Sequence, residues 1–240
     1  MTSPTRLITS IVTAFVALAA TAVLAQSDEA DRVKESAKVL DEIMQSSDKS
    51  IPGAILGKAA GIAVIPGTVK GGFIIGGEHG RGILSARGQG GAWSPPAFIT
   101  LTGGSVGLQI GGSATDIILV IQNERGLENL IRNEFKIGAG AAVAGGPVGR
   151  EASAATDAQL RAEILSYSRS RGAFAGATIE GATIKEDKDA NGRYYGTKFA
   201  TREVVLDGKA KAPATAGVWF EALKKYASAA PAATAKPAGK

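Results

Sequence analysis

Four stretches of the chain hold residue types at spacings that chemistry uses. Gly103-Gly104-Ser105-Val106-Gly107 fits the G-x-S-x-G pattern of a nucleophilic serine. That pattern needs a strand-to-helix turn and a later histidine, and the only histidine, His79, lies upstream. Gly138-Ala139-Gly140 with Gly145-Gly146 has the glycines of a dinucleotide loop. It follows a predicted helix over Asn123–Phe135, where a dinucleotide site requires a strand opening a βαβ unit. Asp187-x-Asp189-x-Asn191-Gly192 copies the first half of a calcium loop, but the twelfth position, where a bidentate glutamate belongs, is Lys198. Asn191-Gly192 is itself a hairpin signal, so the segment reads as a plain turn. His79 has no second histidine or cysteine to complete a zinc site and reads as a solvated hairpin residue. None of the four survives its context. The chain reads as a non-enzyme, with no catalytic residue, metal or cofactor.

What remains is a set of basic residues: Lys49, Lys58, Lys70, Arg81, Arg87 and Arg150, with the pair Lys224 and Lys225. Each alone reads as ordinary surface charge. Brought to one face by hairpins, several would form a shallow site for anionic lipid beside an amphipathic helix. The formal charge of +5 favours an anionic surface and is too diffuse to argue nucleic acid.

These residues need elements to position them. Residues 1–25 read as a signal peptide, with Arg6 as the charged start, Leu7–Val23 as the apolar run and a small-residue cleavage site ending at Ala25. The predicted location is therefore periplasmic or secreted, with peripheral membrane association. The absence of cysteine leaves no disulfide framework and no thiol to carry a lipid. Asp28–Asp48 predicts an amphipathic helix, in which Val33, Ala37, Leu40 and Met44 recur at helical spacing. Laid over a sheet edge it is structural; laid on a bilayer it would insert.

Of the 32 glycines, 24 fall between residues 51 and 150, which removes helix propensity and predicts short, sharply bent strands. The apolar runs Ile62–Ile65, Phe73–Ile75, Ile83–Ala86, Ala97–Leu101, Val106–Ile110 and Ile117–Ile121 come at hairpin spacing, so pairing should be antiparallel. Ile117–Ile121, apolar on both faces, should be a buried central strand. Ile137–Gly149 is a small-residue run suited to flat packing, and Asp157–Ser166 is ambiguous between helix and strand. Phe174–Ile184 and Tyr194–Phe199 read as a hairpin around Asp187–Gly192. Val218–Tyr226 predicts a last helix, and 227–240 a disordered Ala/Pro/Lys tail.

The blocks Lys58-Ala59-x-Gly61-Ile62-Ala63, Lys70-Gly71-Gly72-Phe73, Gly80-Arg81-Gly82 and Trp93-Ser94-x-Pro96-Ala97-Phe98 follow one another in order. Further on stand Gly107-x-Gln109-Ile110-Gly111, Gly146-Pro147-Val148-Gly149-Arg150, Tyr167-Ser168-Arg169-Ser170-Arg171-Gly172 and Tyr194-Tyr195-Gly196. Over residues 28–210 the chain resembles the SYLF family, as a bacterial exported member. That resemblance implies lipid binding, described as actin binding in fungal members, helped by an N-terminal amphipathic helix. An exported protein would not meet actin. Its available anions would be phospholipids or lipopolysaccharide.

The combined expectation is an α+β domain over residues 26–226. Its twisted antiparallel, barrel-like sheet of glycine-rich strands carries the N-terminal helix and flanking helices. The expected function is non-catalytic binding of anionic phospholipid, with Lys58, Lys70, Arg81 and Arg87 supplying charge and Val33, Ala37, Leu40 and Met44 apolar contact. The alternative is a structural or protein-interaction module of the envelope.

Overall fold

Strand β1 (Gly61–Gly71) alternates its side chains between two cores, Ile62 and Val64 facing one and Ala63 and Ile65 the other. Period-two alternation with both faces apolar requires cover on both sides. The computed structural model describes residues 28–46, 50–71, 75–106, 113–132, 134–137, 143–149, 159, 161–170, 173–176 and 181–228. The other strands are β2 (Ile75–Ala86), β3 (Ala97–Val106), β4 (Ser113–Ile121), β5 (Glu134–Lys136), β6 (Val143–Gly145), β7 (Ile164–Ser170), β8 (Ala173–Gly176) and β9 (Ala182–Glu186). They form one sheet in the order β5-β9-β3-β2-β1-β4-β7-β6, with β8 also pairing β7, curled into a half-barrel. All pairs are antiparallel except β6 with β7. Ile117–Ile121 in β4 is wholly buried between β1 and β7, as its two-faced apolar sequence predicts.

One face is covered by α1 (residues 28–44), α2 (Gly53–Lys58), α4 (Lys188–Tyr195) and α6 (Gly217–Tyr226). The other is filled by α3 (Glu124–Leu130), α5 (Thr201–Val205) and Phe135 of β5. On the first face Trp219 of α6 is fully buried, and its indole N–H donates to Ser85 Oγ at 2.9 Å.

The structure corrects three expectations. The first four strands run 9 to 12 residues and are not short. Glycines 76, 77, 80 and 82 lie inside β2 and make no turns, and Gly80 and Gly82 permit close approach. Asp187–Gly192 is no hairpin. Asp187 caps α4, its Oδ1 accepting from the Ala190 N–H at 3.0 Å, and Asn191 sits buried within that helix. Its Oδ1 accepts from Phe98 N at 3.0 Å and its Nδ2 donates to Phe199 O at 2.9 Å. A hydrogen bond to Phe98, 93 residues away, and one to Phe199, eight residues on, thus override the local turn signal. Asp157–Ser166, ambiguous in sequence, contributes Ile164–Ser166 to β7. Ala227, the first residue of the expected tail, is fully buried.

A candidate functional site between the first helix and the bulged strand

The Gly80-Arg81-Gly82 block acquires its meaning from β1. Against β4, Ile65 pairs Ile117 and Thr68 pairs Thr115, so β1 carries one extra residue at Pro66–Gly67. Gly67 takes φ +53, a conformation that favours glycine. This bulge presses on β2. A Cβ on Gly82 would stand 2.3 Å from Val64 O, and one on Gly80 2.5 Å from Thr68 Oγ1. The glycines make room on that side, and Arg81 between them projects from the opposite face, the α1 side.

There an open cleft of about 540 Å³ lies between α1 and the bulge. Helix α1 supplies Asp28, Asp31, Lys34 and Glu35, Arg32 lies beneath, and Pro66 and Arg81 close the far side. Asp28, Asp31, Lys34 and Arg81 are exposed and make no ion pair among the described residues. Arg32 is different. Its side chain is only 6% exposed, Nη1 pairs Asp187 at 3.2 Å, and the guanidinium lies 5.1 Å from the Phe98 ring centre. Nη2 has no hydrogen-bond partner and stands 3.6 Å from Glu29 Oε1. Burial holds the Arg32 guanidinium below the ordinary arginine range; the Asp187 hydrogen bond opposes this, and the charge of Arg81 adds to it.

Three ionic contacts hold the cleft's helix wall in place. Glu29, fully buried, accepts from Arg193 Nη2 of α4 at 2.8 Å. Glu42 pairs Arg169 of β7 at 2.5 Å, and Arg169 also binds Asp116, whose Oδ1 accepts from the bulge N–H of Gly67 at 2.9 Å. Burial lowers the Arg169 guanidinium, but its hydrogen bonds to Asp116 and Glu42 outweigh that and leave it raised. At the far end Asp41 binds Lys225 and Tyr226 of α6.

The residues singled out from sequence fall into separate places. Val33, Ala37 and Leu40 are buried in the core, and the half-buried Met44 packs against it. While α1 is docked, none of this apolar stripe can meet a bilayer. Arg87 is part of the scaffold: it donates to Leu56, Ala59 and Ala227 carbonyls and lies 4.4 Å over the Trp93 ring. Burial lowers its guanidinium. Lys58 is exposed at the end of α2, three residues before Gly61, which pairs Ala86. Arg81 stands five residues from Ala86, about 17 Å at ~3.3 Å per residue, so the two cations do not share one patch. The backbone register sets Lys70 opposite Glu78. Lys49 and Arg150 lie outside the described residues, Lys224 is exposed, and Lys225 is paired with Asp41.

The decoy motifs resolve into structural parts. Gly103–Val106 lies within β3 and forms no strand-to-helix turn. Gly138–Gly140 lies outside the described residues. Gly146 abuts Tyr167, whose Cζ would be 2.0 Å from an added Cβ. Asp189 pairs Lys198 at 2.6 Å, the lysine at the twelfth position of the half-motif. His79 is exposed on β2. Sequence reasoning missed Arg32 and Glu29, and read Asp187 only as part of a turn. Their only local signal is a pair of charges next to the apolar positions of α1, and their partners lie about 160 residues away.

Residues 102–226 match the family Ysc84, described as Las17-binding protein actin regulator. The chain belongs to this Ysc84 (SYLF) family. It is 33% identical over 204 residues to Protein YSC84 of Saccharomyces cerevisiae, covering 81% of this chain and 43% of that protein. To SH3 domain-containing YSC84-like protein 1 it is 32% identical in Xenopus laevis and 30% in Homo sapiens, each over 199 residues. Those alignments cover 80% of this chain and 59% and 58% of the relatives. The chain spans about half the length of the curated relatives it matches. The family's shared region therefore includes the β3–α6 half of the fold, with Arg169, Asp187 and Arg193 that fasten α1.

Proposed function

We propose that this Ysc84-family chain is an exported, non-catalytic domain that binds anionic phospholipid at a membrane surface. The observation that carries the reading is Arg81, an exposed cation without an ion-pair partner among the described residues, held in an open cleft. The chain's formal charge of +5 adds a long-range attraction to such a surface. Lys58 and Lys70 supply further charge in this reading. Val33, Ala37, Leu40 and Met44 contribute only if α1 undocks, against burial worth roughly 1.5–3 kcal/mol for each large aliphatic side chain. Among the described residues no helix is long and apolar enough to cross a membrane, so the proposed contact is peripheral. The actin-regulator binding named for the family is not carried to an exported protein.

Vesicle flotation of the chain from Gln26 onward tests this. Vesicles of phosphatidylglycerol or cardiolipin are compared with neutral phosphatidylcholine at low and moderate salt. Binding to anionic vesicles alone, weakened by salt and by Arg81→Glu, is the expected result. Absence of binding to every vesicle would reject the reading. It would favour an envelope interaction module working through the sheet edges, formed by β5 at one end and by β6 and β8 at the other.

A further inference from the structure

The charges lining the α1 cleft do not fit a simple anion. Asp28 and Asp31 stand unpaired beside Lys34 and Arg81, all four exposed to the same space. A bare phosphate would meet these two carboxylates and that of Glu35, which is paired with Lys38, and a bare cation would meet Lys34, Arg81 and the guanidinium beneath. Arg32 and Arg81 are like charges close enough to disfavour one another, and Arg32 Nη2 has no hydrogen-bond partner although the side chain is 94% buried. An anion beside Arg81 relieves that repulsion. A primary ammonium a few ångströms away satisfies Asp28 and Asp31.

We infer that the cleft between α1 and the β1 bulge recognises a zwitterionic group, one phosphate and one primary ammonium, as in phosphoethanolamine. Arg81 and Lys34 bind the phosphate, and Asp28 and Asp31 accept hydrogen bonds from the ammonium. The volume of about 540 Å³ is ample for such a group and lies within the ~300–1,000 Å³ range of ligand pockets. The group can come from a phosphatidylethanolamine headgroup or from a free phosphomonoester. This inference rests on the lipid-surface reading only for the first source.

The test is titration calorimetry of the full chain with O-phosphoethanolamine, phosphocholine and inorganic phosphate. Phosphocholine keeps the phosphate and the charge but has no N–H to donate. Phosphoethanolamine should bind about tenfold or more tightly than either. Arg81→Gln and Asp31→Asn should each weaken it about tenfold, and Lys211→Gln, at an exposed lysine outside the cleft, should not. Both weakening substitutions are at exposed positions, and an unchanged thermal midpoint shows that the fold persists. Equal binding of all three probes, no phosphoethanolamine binding at about 10 mM, or indifference to Arg81→Gln and Asp31→Asn would overturn the inference.

Vesicles of phosphatidylcholine with and without phosphatidylethanolamine separate the sources. Flotation that depends on phosphatidylethanolamine supports the headgroup; calorimetric binding without it supports the free phosphomonoester. Flotation on phosphatidylglycerol with no phosphoethanolamine binding rejects the cleft inference and keeps the anionic-surface reading. The opposite pattern keeps the cleft inference and rejects that reading.

Discussion

At the scale of single residues, the glycines and one asparagine decide more than any charged group. Gly82 faces Val64 O across a gap that leaves no space for a methyl group, and the obstacle is backbone, which cannot rotate away. Gly82→Ala should therefore destabilise the chain by about 3 kcal/mol, the upper part of the overpacking range, read as a shift in the urea midpoint. Gly53→Ala, with nothing within 4 Å of an added Cβ, is the matched control and should be neutral or stabilising. Asn191 serves the backbone of two separate segments, at Phe98 and at Phe199. Asn191→Ala leaves a buried donor and an acceptor without partners, at about 1–3 kcal/mol each. A loss of about 2–4 kcal/mol in urea unfolding is expected. A loss below 1 kcal/mol would show that another group takes over these bonds.

At the scale of elements, α1 is the part whose role the structure redefines. Its amphipathic stripe is the lid of the first core, and its charged residues reach α4, β7 and α6. Leu40→Ala should cost about 2–5 kcal/mol, as for other fully buried leucines. Urea unfolding measures it, and a cost near zero would mean that α1 is undocked in solution. The contact between α1 and α6 carries a pH dependence. Hydrogen bonds from Tyr226 and Lys225 hold the Asp41 carboxyl below its ordinary 3.8. A folded-state value below the unfolded one means that Asp41 stabilises the fold above pH 3.8. That contribution disappears as pH falls through the lowered value. Asp41→Asn should therefore unfold at lower urea than the unsubstituted chain at neutral pH, and the difference should shrink as pH falls below 3.8. Fluorescence of the buried Trp219 reports the transition.

At the scale of the whole molecule, the proposed meeting with a lipid surface rests on charge, because helices cover both faces of the sheet. The apolar stripe of α1 is spent on the core, Arg87 is spent on carbonyls, and the exposed cations are spread apart. Binding to anionic vesicles should accordingly be electrostatic, falling several-fold between about 50 and 200 mM salt as screening tightens. Arg81→Glu should weaken it more than Lys58→Glu, because Lys58 lies outside the cleft. Equal effects of the two substitutions would argue that overall charge, and no particular site, draws the chain to the surface. A gain in binding on destabilising α1 by Leu40→Ala would show that the buried stripe can be released to lipid.

Much of this was legible in the chain itself. Apolar runs at hairpin spacing marked the core strands, helical patterning marked α1 and α6, and the ordered blocks from Lys58 to Tyr195 pointed to the family. These are local properties, set by the two- and 3.6-residue periods of the backbone and readable wherever they occur. Which charges are free and which are structural was decided only by tertiary contacts. Arg87 and Arg81 look alike in sequence. One is anchored to Ala227, 140 residues away, and the other is left in a cleft by glycines that make room for a bulge in another strand. The Asn-Gly pair reads as a turn until Phe98, 93 residues away, arrives to bind Asn191. Partners so distant leave no trace in local spacing, because the chain brings them together only when the sheet has formed.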